Sequence, residues 1–253
     1  MCKCWQIAAL LFGLASCSAT AAAVEKISLY SDYSTAPFAV EGIRPERSYT
    51  VRLASWLSRQ SHGRYLFEAR QIPRLRLNRI VARADWQGVV AWANPTWFDD
   101  PERQRFLWSA ALMGDHDVLL SRQADDLHFT LQGPPKPLRL GAIHGYLYAD
   151  LEPFIRRGML LREDVHNDLS NVRKLQRGRV DVVVLQASAL PSLRAQIADF
   201  DQWAAVSQVQ LPNFQRFLFT STSNTQLMAF LQQELIHMAL APEWVELHDS
   251  LSP

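Results

Sequence analysis

Lysine is nearly absent from this chain. Lys3, Lys26, Lys136 and Lys174 stand among 26 basic residues, so arginine carries the positive charge. Arginine's planar fork suits carboxylate and phosphate ligands, although an arginine-rich coding bias explains the same count. An excess of either charge is also missing: a net charge of +1 excludes the broad basic field of a protein that reads phosphates. Cysteine is confined to Cys2, Cys4 and Cys17. The rest of the chain therefore has no disulfide, no thiolate nucleophile and no thiolate metal ligand, and its stability must come from a core. No repeat of fixed short period occurs, which argues against a solenoid. What is present, 253 residues with 48% hydrophobic and 10% aromatic content, suffices for one large domain or two lobes.

The first residues, MCKCWQIAALLFGLASCSATAAA, combine a basic head, an apolar stretch and a small-residue end. This pattern predicts a secretory signal over residues 1–23, too short for a spanning helix. Cleavage after Ala23 releases a soluble protein, whereas Leu14-Ala15-Ser16-Cys17 resembles a lipobox that would leave a lipid on Cys17. Both readings send the chain out of the cytoplasm, and in both the membrane is met only through that lipid.

Past the signal, ISLYSD predicts a strand. Ser48 then caps a helix with Tyr49, Leu53, Trp56 and Leu57 at helical spacing. YLFEARQI predicts a second strand, and Pro73 opens a helix with Leu77, Ile80, Val81 and Ala84 on one face. Arg74, Arg76, Arg79 and Arg83 are expected on its solvated side. GVVAWA predicts a buried strand. This alternation implies a parallel sheet covered by helices, with ligands outside the carboxyl ends of its strands. DVLLSRQ predicts another strand, LQGPPKP interrupts the pattern, and LRLGAI, a helix over 149–157, a short strand near 159–161, a helix over Leu169, Val172 and Leu175, and VDVVVL repeat the program. QRFLFTSTS and a helix from about Asn224 to Pro242 are expected to pack back on the first unit. The boundaries read as lobe 1 over 24–122, lobe 2 over 123–210 and a return segment over 211–253.

The segment WANPTWFDDPERQRFLWS, 92–109, places three indoles, acids and arginines directly after a strand end. Trp92, Trp97 and Trp108 suit either a cleft wall or a core. Asn94 suits a ligand contact or the turn before Pro95. Asp99, Asp100 and Glu102 read as a solvated turn or cap ahead of acid–base groups. Asp115-His116-Asp117 contains metal-ligand residue types, but adjacent strand residues face opposite ways and no metal site is expected. Asp181 is expected to anchor its strand, pairing with Arg179 or a turn. His144 is weak evidence of a site.

In the order of these parts the chain resembles the bacterial extracellular solute-binding proteins of the polar-amino-acid type, family 3. The resemblance rests on Ala36-Pro37-Phe38 after the first strand, on PERQRFLWS, on GAIHG and on LQRGRVDVVVL. It implies an α/β, two-lobed type II periplasmic binding fold, a ligand held between closing lobes, a periplasmic monomer without cofactor, and delivery to an ABC permease or a membrane sensor. It implies Arg103 as a fork on a ligand carboxylate, with Tyr33 and Thr35 near the family's aromatic lid. Tyr146 falls where the family has a Gly-Thr hydroxyl. Gln186 falls where the family has an acid for the ligand ammonium, and an amide cannot neutralise that charge. The expected site is therefore Arg103, Tyr33, Thr35, Trp92, Asn94, Trp97, Tyr146 and Gln186. The expected ligand is small, polar and carboxylate-bearing. Two rivals remain: an enzyme on the same fold resembling the cyclohexadienyl dehydratases, using Asp99, Asp100 or Glu102, and a degenerate lobe pair that binds another protein.

Overall fold

The computed structural model describes residues 23–127, 133–208, 212–242 and 244. The signal and Cys17, and the end of the return segment, lie outside the described residues. Two sheets organise the rest. The first contains β1 (Glu25–Ser31), β2 (Tyr65–Gln71), β3 (Val89–Ala93), β4 (Phe106–Trp108), β5 (Met113–Asp115) and β11 (Phe214–Ser221). Its order is β2-β1-β3-β11-β4, with β5 also paired to β11. The second, of order β10-β6-β9-β7-β8, contains β6 (Asp117–Arg122), β7 (Leu138–Ile143), β8 (Leu160–Val165), β9 (Val182–Gln186) and β10 (Ala204–Gln208).

In both sheets the first three strands in chain order that carry helical crossovers run parallel. In lobe 1 the crossovers are α1 (Tyr49–Gln60) and α2 (Arg74–Val81); in lobe 2 they are α3 (Glu152–Arg156) and α4 (Asp168–Gln176). The starts of these helices follow local chemistry. The Ser48 hydroxyl accepts from the Val51 amide at 3.2 Å, a side-chain N-cap of the kind that typically contributes about 1 kcal/mol. Pro73 precedes α2, and Asn167 accepts from Ser170 N at 2.8 Å to begin α4.

Each sheet buries apolar side chains on both faces. One face of the first sheet packs Leu29, Phe67 and Ala91 against Leu53 and Leu57 of α1 and Leu227, Leu231 and Leu235 of the last helix (Thr225–Leu240). This last helix shares its buried cluster with α1 and the first sheet. The other face packs Val90, Phe106, Trp108 and Phe219 with Leu77 and Val81 of α2.

The change of lobe comes earlier than 122. All of β6 pairs within the second sheet, antiparallel to β9 and β10, so the chain crosses between lobes at His116, between β5 and β6. The reason is burial: Val118 and Leu120 fill one face of lobe 2 and Leu119 the other. Two short strands, β4 and β5, carry too few residues for periodicity to reveal them. Among the described residues no helix is long and apolar enough to cross a membrane.

Candidate functional site

The carboxyl ends of the parallel strands face each other across the gap between the lobes. β1 runs into Asp32 and Tyr33, β2 into Arg74 at the head of α2, and β3 into Trp97. From lobe 2, β7 runs into Tyr146 and β9 ends at Gln186. There they enclose a cavity of ≈ 30 Å³, lined by Tyr33, Arg74, Trp97, Asp117, Tyr146, Tyr148, Asp150 and Gln186 together with Leu147, Ala149, Leu151 and Val184. Such a volume admits roughly two water-sized groups.

The lobes touch around this cavity. The Thr35 hydroxyl donates to Asp168 Oδ2 at 3.5 Å, and Asn78 Nδ2 donates to Gly145 O at 3.3 Å. The Arg74 guanidinium lies 5.2 Å from the centre of the Tyr146 ring. Gly145 has φ +81, and a Cβ there would stand 2.8 Å from Leu75 Cδ2, so glycine is what permits this approach of α2 to lobe 2.

Two buried guanidiniums organise the floor, and both are already paired. Arg74, 5% exposed, donates through Nη1 to Asp32 Oδ2 at 3.0 Å, through Nε to Asn78 Oδ1 at 2.9 Å and through Nη2 to the Trp97 carbonyl. Its face covers Phe98 at 3.9 Å. Arg216 of β11, fully buried, donates to Asp115 Oδ2 from Nη2 at 2.7 Å and from Nε at 3.1 Å. Its Nη1 donates to the Tyr33 hydroxyl at 2.7 Å and to the Trp92 carbonyl at 3.1 Å. Phe38, Tyr33, Phe214 and Trp97 surround it at 4.4 to 5.6 Å. Trp92 has φ 63 and sits beside an irregularity in the β3–β11 register. A tryptophan in this left-handed conformation costs about 1 to 2 kcal/mol, offset here by a carbonyl aimed at Arg216.

Acids outnumber what these two pairs neutralise. Asp168 is buried, and burial pushes its carboxyl up to about 6 against the lowering effect of the Thr35 hydrogen bond. Asp117 is pushed up to about 7, again by burial, with Arg216 pulling the other way and Asp115, Asp150 and Asp168 adding to the rise. Its Oδ1 is shut off from solvent and has no hydrogen-bond partner among the described residues. Burial also raises the hydroxyls of Tyr33, Tyr146 and Tyr148, so all three remain protonated donors.

Of the residues expected from sequence, Tyr33, Trp97, Tyr146 and Gln186 line the cavity, and Thr35 joins the lobes beside it. The others lie elsewhere. Arg103 is exposed and stacks 4.4 Å over the Phe217 ring, away from the cavity. The loop explains this. Asp100, 3% exposed, accepts from the amides of Gln104, Arg105 and Phe106 and, at 2.7 Å, from the Trp108 indole. That tight turn carries Arg103, with φ 54, to its outer side. Trp92 is core, its indole donating to Thr50 Oγ1 at 2.8 Å. Asn94 makes the turn: its Oδ1 accepts from Thr96 N at 3.0 Å, and its Nδ2 donates to Gln215 O. Asp181, expected to anchor its own strand and to pair with Arg179 or a turn, instead accepts from Arg139 of the neighbouring β7, at 2.7 Å.

Arg74, Asp117, Asp32 and Arg216 were not singled out from sequence as site residues. A signal existed for Arg74, which shares a helical face with Leu77 and Val81 and therefore cannot sit on the solvated side with Arg76, Arg79 and Arg83. Among the described residues no group of three His, Cys, Asp or Glu side chains could hold a metal ion.

No family model and no curated protein matches the chain. Solved structures do. The substrate-binding protein of an amino acid ABC transporter superposes with TM-score 0.69 at 14% identity, covering 89% of this chain and 98% of that one. An ancestral arginine-binding protein bound to arginine gives 0.71 at 12%, covering 92% and 100%. Holo ArgBP from T. maritima gives 0.66 at 15%, covering 90% and 96%. At such identities the likeness is one of architecture: the chain has the two-lobed α/β fold of the periplasmic substrate-binding proteins.

Proposed function

We propose that this chain is an exported, non-enzymatic binding protein that holds a small polar solute between its lobes and presents it to a membrane permease or sensor. The observation that carries the reading is the polar cavity itself, walled by strand ends of both lobes and bridged by Thr35–Asp168 and Asn78–Gly145. A solute seated there contacts both lobes at once, so binding and closure are coupled, and the closed shape is what a partner reads. The periplasm, reached through the signal over 1–23 with or without a lipid on Cys17, and a monomeric state accompany this reading.

The dehydratase-like alternative loses the three carboxylates expected to serve it. Asp100 is committed to its loop, and Asp99 and Glu102 are exposed away from the cavity. The degenerate-pair alternative has one observation in its favour: contacts between the lobes, Thr35–Asp168 and Asn78–Gly145, are already made beside the cavity. A thermal-shift screen of amino acids, dicarboxylates, sugars, amines and polyamines separates the two. A ligand at 100 times its Kd adds about 2.7 kcal/mol of stability, or roughly 5 to 10 °C in a domain of this size. A compound that does so supports the proposal. A screen without any hit, combined with a stable complex with another protein, would replace it by the degenerate pair.

A further inference from the structure

We infer that the cavity takes a compact cation with no carboxylate of its own, ammonium or a short primary amine, and that Asp117 is its anionic seat. This rests on the solute-binding reading above and names the ligand class for the same cavity.

The first argument is charge. Arg74 is the one basic residue in the cavity wall, and it is ion-paired with Asp32 and directs three N–H groups at Asp32, Asn78 and Trp97. The nearby Arg216 is ion-paired with Asp115. A carboxylate entering the cavity would meet Asp117 and Asp150 with no unpaired cation in the wall to receive it. A cation meets two acids, Asp117 and Asp150.

The second argument is the orphan oxygen. A solvent-shielded carboxylate oxygen without a donor is costly, and native proteins leave few of them. A cation in the adjoining cavity offsets the charge of that carboxylate without having to reach the shielded oxygen. The β6–β9 register sets Asp117 opposite Gln186, so an amide carbonyl is available beside the acid as a second acceptor. The strand neighbour thereby supplies the negative charge that Gln186 lacks. A zwitterionic amino acid would in addition bring a carboxylate that has no partner in the wall.

The test is isothermal titration of the chain from Val24 with ammonium, methylamine, ethanolamine, glycine, arginine, acetate and succinate, each against potassium chloride of equal ionic strength. The expected result is heat and thermal stabilisation from the amines alone, weakened at least about 30-fold in Asp117→Asn. That variant is isosteric, and its melting temperature without ligand checks that it folds. Binding of acetate, succinate or glycine with the amines silent would overturn the ligand class and leave the solute-binding reading standing. Amine binding unchanged in Asp117→Asn would overturn the seat. Silence from these probes and from the wider screen would overturn both readings together.

Discussion

The Arg216–Asp115 pair ties together separate stretches of lobe 1. Arg216 is fully buried and Asp115 nearly so, and every partner of the guanidinium comes from a different stretch of lobe 1: Asp115, Tyr33 and the Trp92 carbonyl. Removing one member of a buried pair leaves the other charge uncompensated, typically at about 3 to 5 kcal/mol. Arg216→Met is therefore expected to lower the unfolding free energy by that amount in denaturant titration, and Asp115→Leu combined with it should recover part of the loss in a double-mutant cycle. Arg103→Ala should change stability by less than about 1 kcal/mol and leave ligand affinity unaltered, because an exposed cation–π contact is worth no more. A large affinity loss in Arg103→Ala would restore the carboxylate fork expected from sequence.

The same side chains give the molecule a pH dependence of definite sign. Asp117 titrates at about 7 and Asp168 at about 6, both raised by burial from an ordinary value near 4. The folded state therefore holds protons that the unfolded chain has released, and its advantage, complete below about pH 4, declines as pH rises through 6 to 7. Charges facing Asp117 include Arg216, Asp115, Asp150 and Asp168; Thr35 and Asp32 face Asp168. The unliganded melting temperature should fall between about pH 4 and 7, and the fall should shrink in Asp117→Asn and again in the double variant with Asp168→Asn. Asp100 acts in the opposite direction. Burial alone would raise it, but the Trp108 indole and three amides outweigh that and hold it below the ordinary range, so its contribution is lost only in stronger acid.

Secondary structure was legible where local chemistry and periodicity agree. Ser48 caps α1, Pro73 precedes α2, and VDVVVL is a buried strand, each as its residues predict. The misreadings share a cause. Arginine's usual exposure suggests a solvated face for Arg74, yet its spacing from Leu77 and Val81 turns it inward. Asp115-His116-Asp117 reads as metal-ligand residue types, whereas in the structure Asp115 pairs with Arg216 and Asp117 lines the cavity. The Arg103 position depends on a turn closed by a carboxylate, Asp100, through contacts as far as Trp108, and no short window of sequence displays such a network. Because that turn is held by four hydrogen bonds to one carboxylate, Asp100→Ala should destabilise the chain by about 3 kcal/mol in chemical denaturation. Neutral behaviour would mean the loop is held by its aromatic packing instead.

For the molecule as a whole, the essential relation is between two sheets whose strand ends meet at one cavity and a chain that crosses between them at His116. The close approach of Leu75 to Gly145 sets α2 against lobe 2. Gly145→Ala adds a methyl at a position with φ +81 and should weaken binding of any cavity ligand about tenfold or more, while lobe 1, whose core is separate, keeps its packing. The most direct measurement of the account is the distance between spin labels at Ser55 of α1 and Ala195, exposed sites on lobes 1 and 2, in a chain that from Val24 onward has no thiol of its own. Pulsed electron–electron resonance should give a broad distribution without ligand, and a single shorter distance with the compound that stabilises the protein most. A distribution identical in both conditions, at saturating ligand, would contradict the claim that a solute is held by closing lobes.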